Sequence, residues 1–203
     1  MKKLLFIIAF ALSAVSLQAQ PGTISLNLDA GYNFASTMNF DAFSLKPQGA
    51  FQYGGGLEYF PAWDQSVEIK YLRSDPTVQI TNTLTKINDV SASFNYILFG
   101  WNKYFGPNPD AKALPFGGLG LGMNVIGNGT NTATKFSWDA KLGVKIKTKS
   151  AVSVKLQAYL QHTISAAGND IWYGWYGPYV VTTYAPLWEF GLGGVLCFDF
   201  KKK

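Results

Sequence analysis

Lys135-Phe-Ser-Trp-Asp-Ala-Lys-Leu-Gly-Val-Lys-Ile146 alternates without a break. Phe136, Trp138, Ala140, Leu142, Val144 and Ile146 stand against Lys135, Ser137, Asp139, Lys141, Gly143 and Lys145. A period of two puts each set on one side of a β-strand, since successive side chains point to opposite faces. The stretch therefore reads as a strand with one apolar and one polar face.

The same pattern recurs on both sides of it. Ile24, Leu26, Leu28, Ala30 and Tyr32 form one apolar set, and Phe51, Tyr53, Leu57 and Tyr59 a second. Val67, Ile69 and Tyr71 follow, then Val90, Ala92, Phe94, Tyr96 and Leu98, then Leu119, Leu121, Met123 and Val125. Beyond the opening stretch come Val152, Val154, Leu156, Ala158 and Leu160, and finally Trp188, Phe190, Leu192, Leu196, Phe198 and Phe200. That makes about eight strands and no convincing helix. Connections after strands two, four and six look short (61–64, 102–110, 148–150). Those after one, three, five and seven look longer (35–47, 74–89, 127–133, 163–185). Short turns at one end and long loops at the other are expected of a transmembrane antiparallel up-and-down β-barrel.

Composition agrees. The 203-residue chain is 48% hydrophobic and 16% aromatic, with 14% charged residues, well below the usual quarter. Past the N-terminus no apolar run approaches the ~20 residues of a membrane helix. The N-terminus itself has Lys2 and Lys3, an uncharged apolar run over 4–15, and Leu17-Gln-Ala19 as a cleavage signal. That pattern reads as a secretory signal peptide over residues 1–19, leaving 20–203 as one barrel domain. Loss of Lys2 and Lys3 lowers the basic residues from 17 to 15, against 12 acidic. With the remaining excess in Lys201, Lys202 and Lys203, no patch for nucleic acid is expected. Cys197 is the only cysteine, so no internal disulfide is available.

Which face points outward separates a membrane barrel from a soluble one. The polar face carries Gly54, Gly56, Gly118, Gly120, Gly122, Gly191 and Gly193, which suit a cramped interior better than a wetted surface. Aromatics gather at strand ends: Tyr59, Phe60, Trp63, Trp101, Tyr104 and Phe105 near the short turns, and Tyr32, Phe34, Tyr71, Phe136 and Trp138 near the long loops. Rings in those positions belong to the two membrane boundaries. The polar face then points inward with Glu58, Glu68, Lys70, Asp139, Lys141, Lys145, Lys155, Gln157, Glu189 and Asp199. Charges in so enclosed a space have to pair, which predicts a filled, salt-bridged interior and no wide pore.

The leader, the alternating strands and the last strand Trp188-Glu-Phe-Gly-Leu-Gly-Gly-Val-Leu-Cys-Phe-Asp-Phe200 resemble the small outer-membrane β-barrel superfamily that includes OmpX, OmpW and the OmpA membrane domain. The resemblance covers the whole chain after the leader. It implies export to the outer membrane of a Gram-negative bacterium, with lipopolysaccharide and outer-membrane lipid around the barrel. It also implies recognition of the terminal aromatic, here Phe200, by the barrel-assembly machinery; Lys201, Lys202 and Lys203 after it depart from the pattern. Two barrels of this architecture are enzymes acting on lipid A, one with a His-x-Ser-Asn motif. Gln161-His-Thr-Ile-Ser165 places its serine three residues from His162, off that strand face, so an enzyme is not expected. No Cys/His cluster suggests a metal, and no cofactor is expected.

The most individual stretch is Ile171-Trp-Tyr-Gly-Trp-Tyr-Gly-Pro-Tyr-Val-Val-Thr-Thr-Tyr184. Trp172, Tyr173, Trp175, Tyr176 and Tyr179 are the candidate contact residues for a protein or glycan partner, because exposed aromatics favour binding. The function expected is a non-enzymatic barrel with a role in envelope structure or in surface interaction through its long loops. A transport or secretion-complex accessory barrel is the alternative, with a lipid-A-modifying enzyme built around His162 behind it.

Overall fold

The computed structural model describes residues 22–39, 43–82, 86–127, 132–148, 150–164 and 186–200. Eight long strands close into one antiparallel barrel: β1 (Thr23–Asn33), β4 (Ala50–Ala62), β5 (Gln65–Ser74), β8 (Ser93–Tyr104), β9 (Ala113–Gly127), β10 (Thr132–Lys147), β11 (Val152–Thr163) and β12 (Leu187–Phe200). Each pairs with its neighbour in sequence among these eight, and the last closes on the first, with Ile24 opposite Phe200. Closure leaves the barrel no free edge, so its backbone donors and acceptors pair within the wall.

Four shorter strands form a second sheet: β2 (Met38–Asn39), β3 (Phe43–Pro47), β6 (Thr77–Asn82) and β7 (Lys86–Ser91), in the order β2-β3-β6-β7. They occupy the first two long connections, which the sequence reading treats as loops. The order repeats that of the barrel strands beneath, β1-β4-β5-β8, and the hydrogen-bonded register runs on. Asn33↔Ala50 is followed by Met38↔Leu45, an equal advance along both strands, and Ser74↔Phe94 by Thr77↔Ser91 likewise. Backbone bonds from Ser36 to Pro47, Gln48 to Thr77 and Ala92 to Pro76 bridge the gap. This sheet is thus the barrel wall continued upward on one side.

One pair is out of step. Gln52↔Ser74 is followed by Pro47↔Val78, a slip of one residue between β4/β5 and β3/β6. In a strand, such a slip exchanges the two faces. Met38 and Leu45 would share the outward parity of Tyr32 and Tyr53 if register ran straight; instead both are buried.

Of the eight apolar sets, seven face outward as expected. Leu57, Ile69, Leu119, Leu121, Leu142 and Leu156 are each more than half exposed, and charged side chains fill the inside. The fourth set is the exception. Phe94, Tyr96 and Leu98 are inside, fully buried, and Ile97, Phe99 and Trp101 are on the outer surface. Both faces of β8 are apolar at this height, because its inner face packs under the upward continuation of the wall. Phe60 and Tyr104, expected in a boundary belt, also lie inside, 1% and 2% exposed.

Candidate functional site

The lumen divides into three layers. Its waist is ionic. Glu58 of β4 accepts from Lys155 Nζ at 2.6 Å, Tyr104 Oη at 2.6 Å and the side-chain amides of Asn27 and Asn102 at 3.1 Å each; Ser66 also donates to it. Glu68 pairs with Lys141, and with Lys70 at 3.5 Å. Lys70 reaches Asp139 at 2.5 Å. Asp199 takes Lys145 at 3.1 Å and the Ser153 hydroxyl at 2.9 Å. These four lysines meet four carboxylates, all 6% exposed or less. Desolvating such ions costs several kcal/mol each, so they fit only as hydrogen-bonded pairs.

Glycine makes the space. A Cβ on Gly118 would lie 2.1 Å from Asn102 Oδ1, and one on Gly120 would lie 2.2 Å from Asp139 Oδ1. Gly191 leaves room in the same way for the Tyr159 ring, whose hydroxyl donates to Asn33 Oδ1 at 2.7 Å. The small inward residues expected from sequence therefore accommodate particular partners. Two cavities of about 10 Å³ lie in this layer, both walled in part by Asp29, Lys70 and Gln157; each has room for about one water.

Apolar clusters lie above and below. At the end with the short connections, Phe60, Tyr104, Leu114 and Phe116 pack together. Lys145 Nζ sits 4.7 Å from the Phe60 ring centre, and Lys155 Nζ 5.4 Å from that of Phe116, so the rings also meet the ionic layer by cation–π contact. At the other end Leu72, Phe94, Tyr96, Leu98, Ile126 and Leu187 from the barrel meet Met38, Leu45 and Val78 from the upper sheet. Tyr96 links this layer to the polar one through its bond to Glu189, which also accepts from Asn33 Nδ2 at 3.2 Å. Neither apolar plug is evident from strand alternation. Phe60 and Tyr104 alternate with exposed Tyr59, Pro61 and Phe105, but both faces are aromatic and parity has nothing to contrast.

His162 lies where the sequence puts it, on the outer face of β11, held between Trp138 and Trp188 at centroid distances of 5.4 and 4.2 Å. Ser165 lies outside the described residues, and so do Trp172, Tyr173, Trp175, Tyr176 and Tyr179. Cys197 is a buried free thiol on the inward parity. Among the described residues, no group of three or more His, Cys, Asp or Glu is placed to hold a metal ion.

Known proteins match this architecture. The crystal structure of Neisserial surface protein A aligns with a TM-score of 0.58 at 14% identity, over 88% of this chain and 99% of that one. The crystal structure of the outer membrane protein OprG from Pseudomonas aeruginosa gives 0.56 at 13%, over 89% and 98%. At such identities the likeness is one of fold. No curated protein matches the chain. A sequence model of the outer membrane protein beta-barrel domain, however, matches residues 7–176. The chain belongs to that family, and the apolar wall that would be a liability in water is the surface it turns to the lipid of the outer membrane.

Proposed function

We propose that this protein is a non-enzymatic outer-membrane barrel that acts through its external face, in envelope structure or in surface interaction. The observation that carries the reading is the closed lumen: an ion-paired waist between two apolar plugs. Among the described residues such an interior offers no solute path through the lumen, which speaks against transport by that route. The upper sheet adds support, because it stiffens two external connections into a raised wall that can present the remaining ones. Trp172, Tyr173, Trp175, Tyr176 and Tyr179 are the proposed contact residues, for a protein or glycan at the cell surface. Residues 1–19 are the proposed export signal, and Phe200 the aromatic offered to the barrel-assembly machinery.

Capture of surface partners by the full chain, compared with a chain lacking residues 171–184, tests this reading. Loss of capture in a deletion that still folds is the expected outcome. Undiminished capture would move the contact elsewhere, and co-purification of export-complex subunits would favour the secretion reading. A strain carrying His162→Ala is expected to show unchanged lipid A; loss of a lipid A modification would overturn the non-enzymatic reading.

A further inference from the structure

Around the two cavities of the waist the charges do not balance. Among the described residues Lys155 pairs with Glu58, Lys141 with Glu68 and Lys70 with Asp139, three charges of each sign. Asp29 of β1 adds a fourth carboxylate and is in none of these pairs. Its partners in strand register, Gly54 of β4 and Val195 of β12, bring no charge. Asp29 borders both cavities. Lys70 borders them too, but its ammonium is already held by Asp139 at 2.5 Å and Glu68 at 3.5 Å. Asp139, 1% exposed, lines the first cavity and has an oxygen to spare, for its Oδ1 is buried without a hydrogen-bond partner. Glu189, the other lumen carboxylate outside the ion pairs, accepts from Tyr96 and Asn33 instead.

An ionised Asp29 leaves this cluster one negative charge in excess, between two apolar plugs. An uncompensated ion in such surroundings is heavily penalised, and one positive charge from solution removes the excess. The cavities limit its size: each is about 10 Å³, room for one water, which excludes organic cations and polyamines. Their lining sets its chemistry. The carboxylates of Asp29 and Asp139 and the side-chain amides of Gln52 and Gln157 offer oxygen, the donor that hard cations prefer. A divalent ion would overshoot a single excess charge. It would also want more carboxylates than are grouped here, since no three are placed together for a metal among the described residues. We infer that the cavity beside Asp29 takes up one small monocation from solution, sodium or a proton, and that this uptake completes the closure of the waist.

The test compares the native barrel with Asp29→Asn, which keeps the volume and removes the charge. Both are unfolded by urea in lipid bilayers, with sodium exchanged for choline at constant ionic strength and, separately, with pH varied in choline alone. Uptake of sodium raises the native folding constant relative to the variant, by about ten-fold once sodium is ten times its dissociation constant. Uptake of a proton instead lowers that ratio as pH rises, by about ten-fold per unit. The fall starts above the range where the unfolded carboxylate ionises and ends where Asp29 ionises in the folded barrel. Either response, absent from Asp29→Asn, supports the site and names its occupant. A ratio that changes with neither sodium nor pH would overturn it, as would an equal response in both chains. Should Asp29→Asn fail to fold, Asp29→Ser removes the same charge with a smaller side chain and takes its place in the comparison.

Discussion

The inner face of β8 passes through two different environments within one strand. At the waist, Asn102 donates to Glu58 and Glu68, and Gly100 leaves room for the Glu68 side chain. A few residues higher, Leu98, Tyr96 and Phe94 meet Met38, Leu45 and Val78 in an apolar plug. Facing the lumen therefore does not mean being polar. Charged side chains occupy the layer where Lys70, Lys141, Lys145 and Lys155 find carboxylate partners. Apolar ones take over where the slipped register of the upper sheet lowers Met38 and Leu45 onto the mouth. The waist is specified by pairing and the mouth by packing, and the two should fail differently.

Breaking the pairing is the harsher test. Glu58→Gln keeps the volume but leaves Lys155 buried without its counter-ion, and should cost about 3–5 kcal/mol, read as a lower urea midpoint for the barrel in lipid bilayers. The double variant Glu58→Leu with Lys155→Met removes both charges and should recover most of that loss. Failure to recover would mean that the hydrogen bonds from Asn27, Asn102 and Tyr104 matter more than the ion pair.

At the mouth, Leu45→Ala should cost about 2–4 kcal/mol, but locally. Hydrogen exchange should rise through β3 and β6 while the strands at the waist stay protected; exchange rising everywhere would show that plug and waist are one cooperative unit. Gly120→Ala presses a methyl onto the Asp139 carboxylate and should cost about 1–3 kcal/mol, measured by the same urea titration. Outside, Leu142→Ala only thins a lipid contact, and about 0.5 kcal/mol or less is expected.

The sequence is legible where the two faces of a strand differ. In β10, Leu142 and Ile146 against Lys141 and Lys145 leave no doubt about which side is which, and all four lie where alternation puts them. The closed barrel and its charged interior follow from strands of that kind. In β8, Phe94, Tyr96 and Leu98 alternate with Ile97, Phe99 and Trp101, so both faces are apolar and parity cannot choose. The upper sheet is hidden for another reason. The slip that turns Met38 and Leu45 inward is a relation between strands far apart in sequence, and no single segment records it. The ion pairs are intermediate: the list of inward charges is readable, but that Lys155 meets Glu58 while Lys145 meets Asp199 depends on stagger across the barrel. Trp172 and its neighbours lie outside the described residues, so their composition alone speaks for them.

Closure of the lumen is the claim on which the functional reading turns, and single-channel recording in planar bilayers tests it most directly. Purified wild-type barrel, inserted and verified as folded, should give no discrete conductance steps above the lipid baseline. Stable open steps from the wild-type chain would contradict the two plugs and the paired waist together, and would put the alternative, transport, ahead of the surface-interaction reading.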